Sequence, residues 1–436
     1  MGNALSKISM IAEAFFGGFY FSITRGLFIP MLAYSGYPVR DISLVLIPTA
    51  LGGILVSSIV YKDPKFFESE FKRLMISSHV LERFMWFLLP FLLSSPSLLS
   101  LAYMLANISA ALTGILIGAA VYSMFSGDEV IEVSIHRSAA SSLSSLLGSL
   151  VMTYVSAIYE APSSYYLLYL TALLVGLSGS LLLMMTPIPR SISEPRSSVV
   201  EEVRIRSGTA LLILSLMFAG SNMLGISWSP LLRELGAPVY VTVALTITGN
   251  VGGILGSYIW RGYKAYIIAM LLNSLLTAAI PFITLPTYHI AVSLLTSLTF
   301  LGVNLLGMHI FSEVNERIGR IRASAYLVSS NYIGLLAASL ISIFPQSSFQ
   351  NLILAGSIKL LSTVIALLTI QEAAIVPAKR AYEISKLIYS TSLLGYSFTL
   401  QASRELLKTF ISALALTTLL LMLYILYRVA IALTGV

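Results

Sequence analysis

Apolar segments of about twenty residues recur along the whole chain and are separated by short polar loops. A helix of that length crosses the roughly 30 Å hydrocarbon core of a bilayer. Helices satisfy their own backbone hydrogen bonds, which lipid cannot do. Hydrophobic residues make up 57% of the chain and charged residues only 10%, which is too apolar for a soluble surface. The sequence therefore predicts an all-α polytopic membrane protein.

The apolar pattern predicts thirteen transmembrane spans. The first contains Glu13 and Arg25 and ends without a small-residue cleavage site, so we interpret it as a retained helix and not as a signal peptide. The predicted spans cover residues 10–34, 39–61, 73–94, 98–125, 135–159, 164–187, 208–232, 238–260, 264–285, 288–312, 323–344, 349–371 and 408–432.

Basic residues predict how the chain is oriented in the membrane. When alternate loops are assigned to alternate sides, twenty of the 26 Lys and Arg residues fall on one side. The other side has only Arg40, Arg233 and Arg428. The positive-inside rule then places the N-terminus in the cytoplasm and, after thirteen crossings, the C-terminus outside. The net charge of +7 follows from this topology and does not require a nucleic-acid partner.

A duplicated segment defines the domain organisation. "PMLAYSGYPV" from Pro30 is repeated as "PLLRELGAPV" from Pro230, and "GGILVSSI" from Gly52 as "GGILGSYI" from Gly252. Over the thirty positions from Pro30, twelve residues are identical at an offset of 200. Six spans separate the copies, so both copies cross the bilayer in the same direction. We predict two parallel six-helix bundles, 1–187 and 208–372, joined by a cytoplasmic linker over 188–207.

These features make the chain similar to the major facilitator superfamily, whose fold is two six-helix bundles around a central cavity. The resemblance covers about residues 8–372 and rests on the duplication, on "RGLFIPMLAYSG", on "KRLMISSHVLERFMWFLLPFLL" and on "ERIGRIRASAYLVSSNYIG". The family's signature loop between the second and third spans is largely missing, because "YKDPKFFESEFKR" retains only Asp63 and the Lys72-Arg73 pair. The resemblance implies a secondary transporter.

Residues 373–436 lie outside the resemblance. The basic, aromatic segment 373–407 predicts an amphipathic helix at the cytoplasmic interface, and 408–436 contains the thirteenth span. This region either docks a protein partner or a second copy of the chain, or is a peripheral helix that only adds stability.

Ionisable side chains inside spans are costly in lipid unless they are paired or face water, which makes them the candidate functional residues. In the first span, Arg25 either binds an anionic solute or pins the helix to a neighbour. In the third span, His79, Glu82 and Arg83 share one side of the helix. With Glu13 they form either a proton relay or a structural ion network.

The second half has polar rather than charged groups within its spans. Amide side chains on four spans could converge on a central cavity, where they would suit a polar or amphipathic solute, or they could join helices by hydrogen bonds. Together with two residues of the first span, they give the predicted substrate-binding set of Tyr20, Arg25, Asn222, Asn250, Asn304 and Asn331.

The function we predict is secondary transport of a small amphipathic or anionic solute by alternating access, and the third span resembles exporting branches of the family. The alternative is a transport-silent membrane subunit that holds partner proteins through residues 373–436. No phosphate-binding Gly-Lys-Ser/Thr loop, His-Glu-x-x-His motif or catalytic triad pattern occurs, so we predict no cofactor, no metal and no enzymatic activity.

Overall fold

The computed structural model describes residues 2–125, 128–189, 207–318, 320–345 and 347–369. Within these ranges the chain forms twelve long helices, and each coincides with one of the first twelve predicted spans. Their bounds are α1 Gly2–Tyr34, α2 Val39–Lys62, α3 Phe71–Leu88, α4 Pro96–Met124, α5 Asp128–Ile158, α6 Ser163–Met185, α7 Ser207–Glu234, α8 Val239–Ile259, α9 Tyr263–Ala279, α10 Tyr288–Ile318, α11 Arg320–Ile341 and α12 Ser348–Thr369. The predicted thirteenth span, the segment 373–407 and most of the linker lie outside the described residues.

Eleven helices among the described residues are long and apolar enough to cross a membrane. The third predicted span, α3, is not one of them because it includes Lys72, Arg73, Glu82 and Arg83 within eighteen residues. It nevertheless packs against α4 and α6 within the bundle. A short helix, Pro64–Ser69, precedes it, and 3₁₀ turns extend α3 and α9 over Leu89–Leu92 and Ile280–Phe282.

The packing order is the same in the two halves, as a parallel repeat requires. In the first half α1 packs on α5 and α6, and α4 packs on α2 and α3. In the second half α7 packs on α11 and α12, and α10 packs on α8 and α9. The halves meet along two equivalent helix pairs, α2 with α11 and α5 with α8.

The repeated Gly-x-Pro turns fold alike. Gly36 and Gly236 have φ of +96° and +74°, in the left-handed region that glycine enters without a Cβ clash. Pro38 and Pro238 then begin α2 and α8 from extended backbone. The sequence repeat at an offset of 200 is therefore also a repeat of local structure. We call the end of the bundle with these two loops the turn end, and the opposite end the N-terminal end.

The glycine pairs permit close helix packing, but not at every position. A Cβ added at Gly252 would lie 2.2 Å from the carbonyl oxygen of Leu294 on α10, whereas a Cβ at Gly253 would meet nothing within 4 Å. Backbone atoms cannot move aside as a flexible side chain does, so of this glycine pair only Gly252 is required for the α8–α10 contact; Gly256, one turn further along α8, lies equally close to α10, because a Cβ there would be 2.6 Å from the carbonyl oxygen of Leu298.

Gly252→Ala is therefore expected to destabilise the folded protein by about 1–3 kcal/mol through overpacking. Gly253→Ala makes the same chemical change one residue away and should have little effect. The measurement is the thermal unfolding midpoint of both purified variants in one detergent. Equal midpoints for the two variants would contradict this account of the α8–α10 contact.

A buried cation stabilises the second half. Lys359 on α12 is 1% exposed, and its Nζ donates to Asn273 Oδ1 at 2.8 Å and to Thr277 Oγ1 at 2.9 Å, both on α9. Gly220 on α7 leaves room for the lysine stem, since a Cβ there would lie 2.4 Å from Lys359 Cγ. The lysine thus joins α9 to α12 at a site that α7 covers.

Candidate functional site

A cluster of charged side chains joins three helices of the first half. Glu13 of α1 forms an ion pair with Arg137 of α5, with Oε2 2.9 Å from Nη2. Its other oxygen lies 3.5 Å from Nε2 of His79 on α3. Arg137 also donates to the backbone oxygen of Met10 at 2.6 Å. The carboxylate of Glu13 therefore lies between a permanent cation and an imidazole that can bind a proton.

The hydrogen bonds around His79 define its tautomer. Arg83 Nη2 lies 2.9 Å from His79 Nε2, and a guanidinium can only donate, so Nε2 accepts. Nδ1 then holds the proton and donates to Ser180 Oγ at 2.7 Å, while Ser180 donates to the oxygen of Gly176. In this arrangement His79 is neutral. A proton added at Nε2 would replace the Arg83 contact with an attraction to Glu13.

The second carboxylate of the cluster, Glu82 of α3, is fully buried. Glu82 is 0% exposed, and its Oε2 lies 2.5 Å from Arg83 Nη1. The Arg83 guanidinium also lies over the Tyr20 ring, with Cζ 4.3 Å from the centroid. Glu82 and Arg83 therefore form a buried ion pair, and His79 lies between Arg83 and Glu13.

Part of the cluster faces a cavity of about 320 Å³, which we call the chamber. Small residues of α1, α4 and α5 form much of its wall, and four members of the charged cluster border it. The wall consists of Glu13, Ala14, Gly17, Gly18, Phe21, His79, Arg83, Ala110, Thr113, Gly114, Ile117, Arg137, Ser138 and Ser141. Glu82 is not on this wall.

A second cavity of about 470 Å³, which we call the groove, lies between the two halves. Both halves contribute polar side chains and one aromatic ring each. The groove is lined by Phe21, Ser22, Gly26 and Ser145 of the first half and by Trp228, Leu245, Thr246, Gly249, Asn250, Ser293 and Ser297 of the second. Such a mixture suits a solute with both polar and apolar parts.

Arg25 lies on α1 between groove residues Ser22 and Gly26. It is exposed, and its Cζ lies 4.3 Å from the centroid of the Phe21 ring. No carboxylate in the described part of the chain lies within 4.0 Å of the guanidinium. The charge is therefore available to an anion.

The other predicted substrate-binding residues are dispersed. Asn250 lines the groove and donates to Ser149 Oγ at 2.9 Å across the α5–α8 contact. Tyr20 is 0% exposed beneath Arg83 and lines neither the chamber nor the groove. Asn222, Asn304 and Asn331 line neither the chamber nor the groove.

Three site residues were missed by sequence reasoning. Arg137 is not among the predicted site residues, although its position at the start of the predicted span 135–159 is a usable signal. Phe21 is four residues before Arg25 on one helix face, a spacing that places the two side chains together. Trp228 has no sequence signal. It is oriented by a 2.9 Å hydrogen bond from Nε1 to His289 Nδ1, which links α7 to α10.

The halves are joined directly at the turn end. Tyr34 Oη donates to the oxygen of Ala237 at 2.6 Å and lies 2.9 Å from Thr242 Oγ1. Arg233 of the second half donates to the backbone oxygen of Ala33 in the first half. These contacts close the space between α1 and α7 beyond the groove.

Comparison with known proteins relates this geometry to a fold. No family model and no curated protein sequence matches the chain. In three dimensions it is similar to a bacterial homologue of the iron transporter ferroportin in an inward-facing state, with a TM-score of 0.64, 13% identity and 84% of this chain aligned to 98% of that one. The chain has the major facilitator superfamily fold.

Other structures of this superfamily fold agree over a similar length. The nucleoside transporter NupG, in a variant form, aligns over 85% of this chain and 100% of its own, with a TM-score of 0.60 and 10% identity. The E. coli fucose:proton symporter FucP aligns over 85% and 100%, with a TM-score of 0.53 and 11% identity. At these identities the superfamily fold is shared, and the solutes of those proteins do not transfer to this chain.

Proposed function

We propose that this protein is a secondary transporter that moves a small amphipathic or anionic solute by alternating access. The observation behind this proposal is the groove between the halves, which contains polar groups from both and lies beside the exposed Arg25 cation. The transporters with the same fold support it in general terms. We propose export as the direction, with the N-terminal end in the cytoplasm.

Contacts at the turn end support the alternating-access part of the proposal. Hydrogen bonds from Tyr34 and Arg233 hold the halves together there, and few side chains are involved. Such contacts can break and reform as two rigid halves rock about a central site. A solute bound at Arg25 would then reach one side of the membrane at a time.

The charged cluster is the proposed coupling site. Glu13 and His79 are on the chamber wall, next to permanent cations, and can exchange a proton with water there. We propose that proton binding at this pair drives the movement of the solute. This role replaces the hypothesis that Glu82 relays the proton, since Glu82 does not reach the chamber.

A cross-link at the turn end tests alternating access, and the absence of cysteine from the natural sequence makes it direct. Purified protein is first screened by thermal shift against organic acids, peptides, sugars, nucleosides and lipids to identify a solute. Tyr34→Cys and Ala237→Cys are then combined, and the pair is joined with a short bifunctional maleimide. Uptake of the identified solute into proteoliposomes should stop in the cross-linked protein and continue in each single variant.

The same preparation tests the transport-silent alternative. A protein that purifies without partners, binds a solute and moves it supports the transporter. A protein that binds no solute and co-purifies with stoichiometric subunits supports the scaffold. Continued uptake after complete cross-linking would contradict alternating access through the turn end.

A further inference from the structure

Phe21 occupies a distinctive place on the face of α1 that lines both cavities. Below it, towards the N-terminal end, the same face has Ala14, Gly17 and Gly18, which add almost no volume. Residues three and four apart share a helix face, so these side chains and Phe21 form one stripe. Phe21 is therefore the one bulky side chain on a helix face that otherwise has only alanine and glycine at these positions.

The ring borders two spaces that differ in chemistry. It is on the wall of the chamber, where it is the single aromatic residue of the described lining, and also on the wall of the groove. Arg25 lies over the same ring with its Cζ 4.3 Å from the centroid. One side chain thus touches the charged chamber, the polar groove and the cation available for an anionic solute.

The second half adds no bulky group at the corresponding depth. At the offset of 200 the residues matching Phe21 and Arg25 are Ser221 and Gly225 on α7. A Cβ at Gly225 would meet no atom within 4 Å, so the space is open there. Because the halves run parallel, these positions lie at a similar level in the membrane. Among the described lining residues, Phe21 is the one that borders both cavities.

We propose that Phe21 is the specificity-determining residue of the transporter. It separates the chamber from the groove and restricts passage between them to small species such as water and ions. A solute with an anionic group for Arg25 and an apolar body for the rings of Phe21 and Trp228 would be retained in the groove. This inference rests on the proposed function, and it specifies the solute as an organic anion with an apolar body.

The absence of natural cysteine allows a test that needs no identified solute. Ser297→Cys places a thiol in the groove and Ser138→Cys places one in the chamber. Each is labelled in detergent with N-ethylmaleimide, which is small, and with fluorescein maleimide, which is bulky. Adding Phe21→Ala should raise the rate at which fluorescein maleimide labels the groove thiol by about tenfold or more, equivalent to a barrier lowered by about 1.4 kcal/mol. The rate with N-ethylmaleimide should change little.

Control variants distinguish the local effect of removing the Phe21 ring from a general loosening of the fold. Phe84→Ala makes the same change on an exposed part of α3 outside both cavities and should leave all rates unchanged. The chamber thiol should be labelled at the same rate with and without Phe21→Ala, and Phe21→Trp should slow the bulky reagent at the groove thiol. If Phe21→Ala leaves the ratio of the two labelling rates at the groove thiol unchanged, Phe21 does not separate the chamber from the groove. Labelling does not require transport, so that result is distinguishable from a failure of the proposed function.

Discussion

Replacement of Arg25 by alanine is expected to weaken the binding of an anionic solute about 10- to 100-fold, because a hydrogen bond to a charged group contributes about 1.5–3 kcal/mol. The fold should remain intact. Arg25 has no carboxylate partner within 4.0 Å in the described part of the chain, so its removal leaves no buried counter-charge there. The measurement is the dissociation constant of the anion found by thermal shift, with the unfolding midpoint of each variant recorded in parallel.

Arg25→Lys and Arg233→Ala are the matched comparisons for this prediction. Lysine keeps the charge but lacks the forked geometry that binds a carboxylate through two hydrogen bonds, so it should restore part of the affinity. Arg233 is another cation near the half-to-half contact, but it donates to the Ala33 backbone and is outside the groove wall. Its removal should loosen the turn end and affect anion binding less. Unchanged affinity in a well-folded Arg25→Ala protein would refute the assignment.

The fold could be predicted from the sequence because lipid leaves few alternatives. Apolar length determines where helices cross, and the repeat from Pro30 to Pro230 determines that the halves are parallel. The twelve described helices follow from these two facts. What apolar length could not reveal was how α3 stays in the bundle with four charged residues. That depends on partners from other parts of the chain, such as the Thr186 backbone oxygen for Lys72 and the Tyr20 ring for Arg83, which only tertiary structure brings together.

The site was less predictable, for a physical reason. Periodicity says which residues share a face of one helix, but not which faces of different helices meet. His79 and Arg83 were correctly grouped because both are on α3, whereas Arg137 was missed because it reaches Glu13 from another helix. Tyr20 is buried although its neighbour Phe21 faces both cavities, because about 100° of rotation around a helix separates a buried position from an open one.

The sharpest test of coupling compares two carboxylates in one cluster. Glu13→Gln should leave the protein folded and able to exchange solute across the membrane without a gradient, but should abolish uptake driven by a pH gradient. Glutamine keeps the shape of the side chain and cannot bind or release a proton. Arg137 then loses its ion-pair partner, but it is on the chamber wall, where water can solvate it.

Glu82→Gln should behave in the opposite way. Glu82 is fully buried, and its partner Arg83, 2.5 Å away, is only 2% exposed although it borders the chamber, so neutralising Glu82 leaves a guanidinium with no carboxylate and little access to water. The Arg137 side chain, by contrast, is 16% exposed. Removing one member of a buried pair costs about 3–5 kcal/mol, and the expected result is a large loss of folded protein. Size-exclusion profiles and unfolding midpoints measure that loss, and counterflow in proteoliposomes measures exchange without a gradient.

The comparison discriminates because both substitutions remove one proton site and one negative charge from neighbouring positions. We expect the coupling defect at Glu13, which borders the chamber, and the folding defect at Glu82, which does not. A Glu82→Gln protein that folds normally and loses pH-driven uptake, beside a Glu13→Gln protein that remains coupled, would return the relay to Glu82. In that case the chamber would have to extend to Glu82 in another conformation of the protein, since Glu82 lies off its wall in this one.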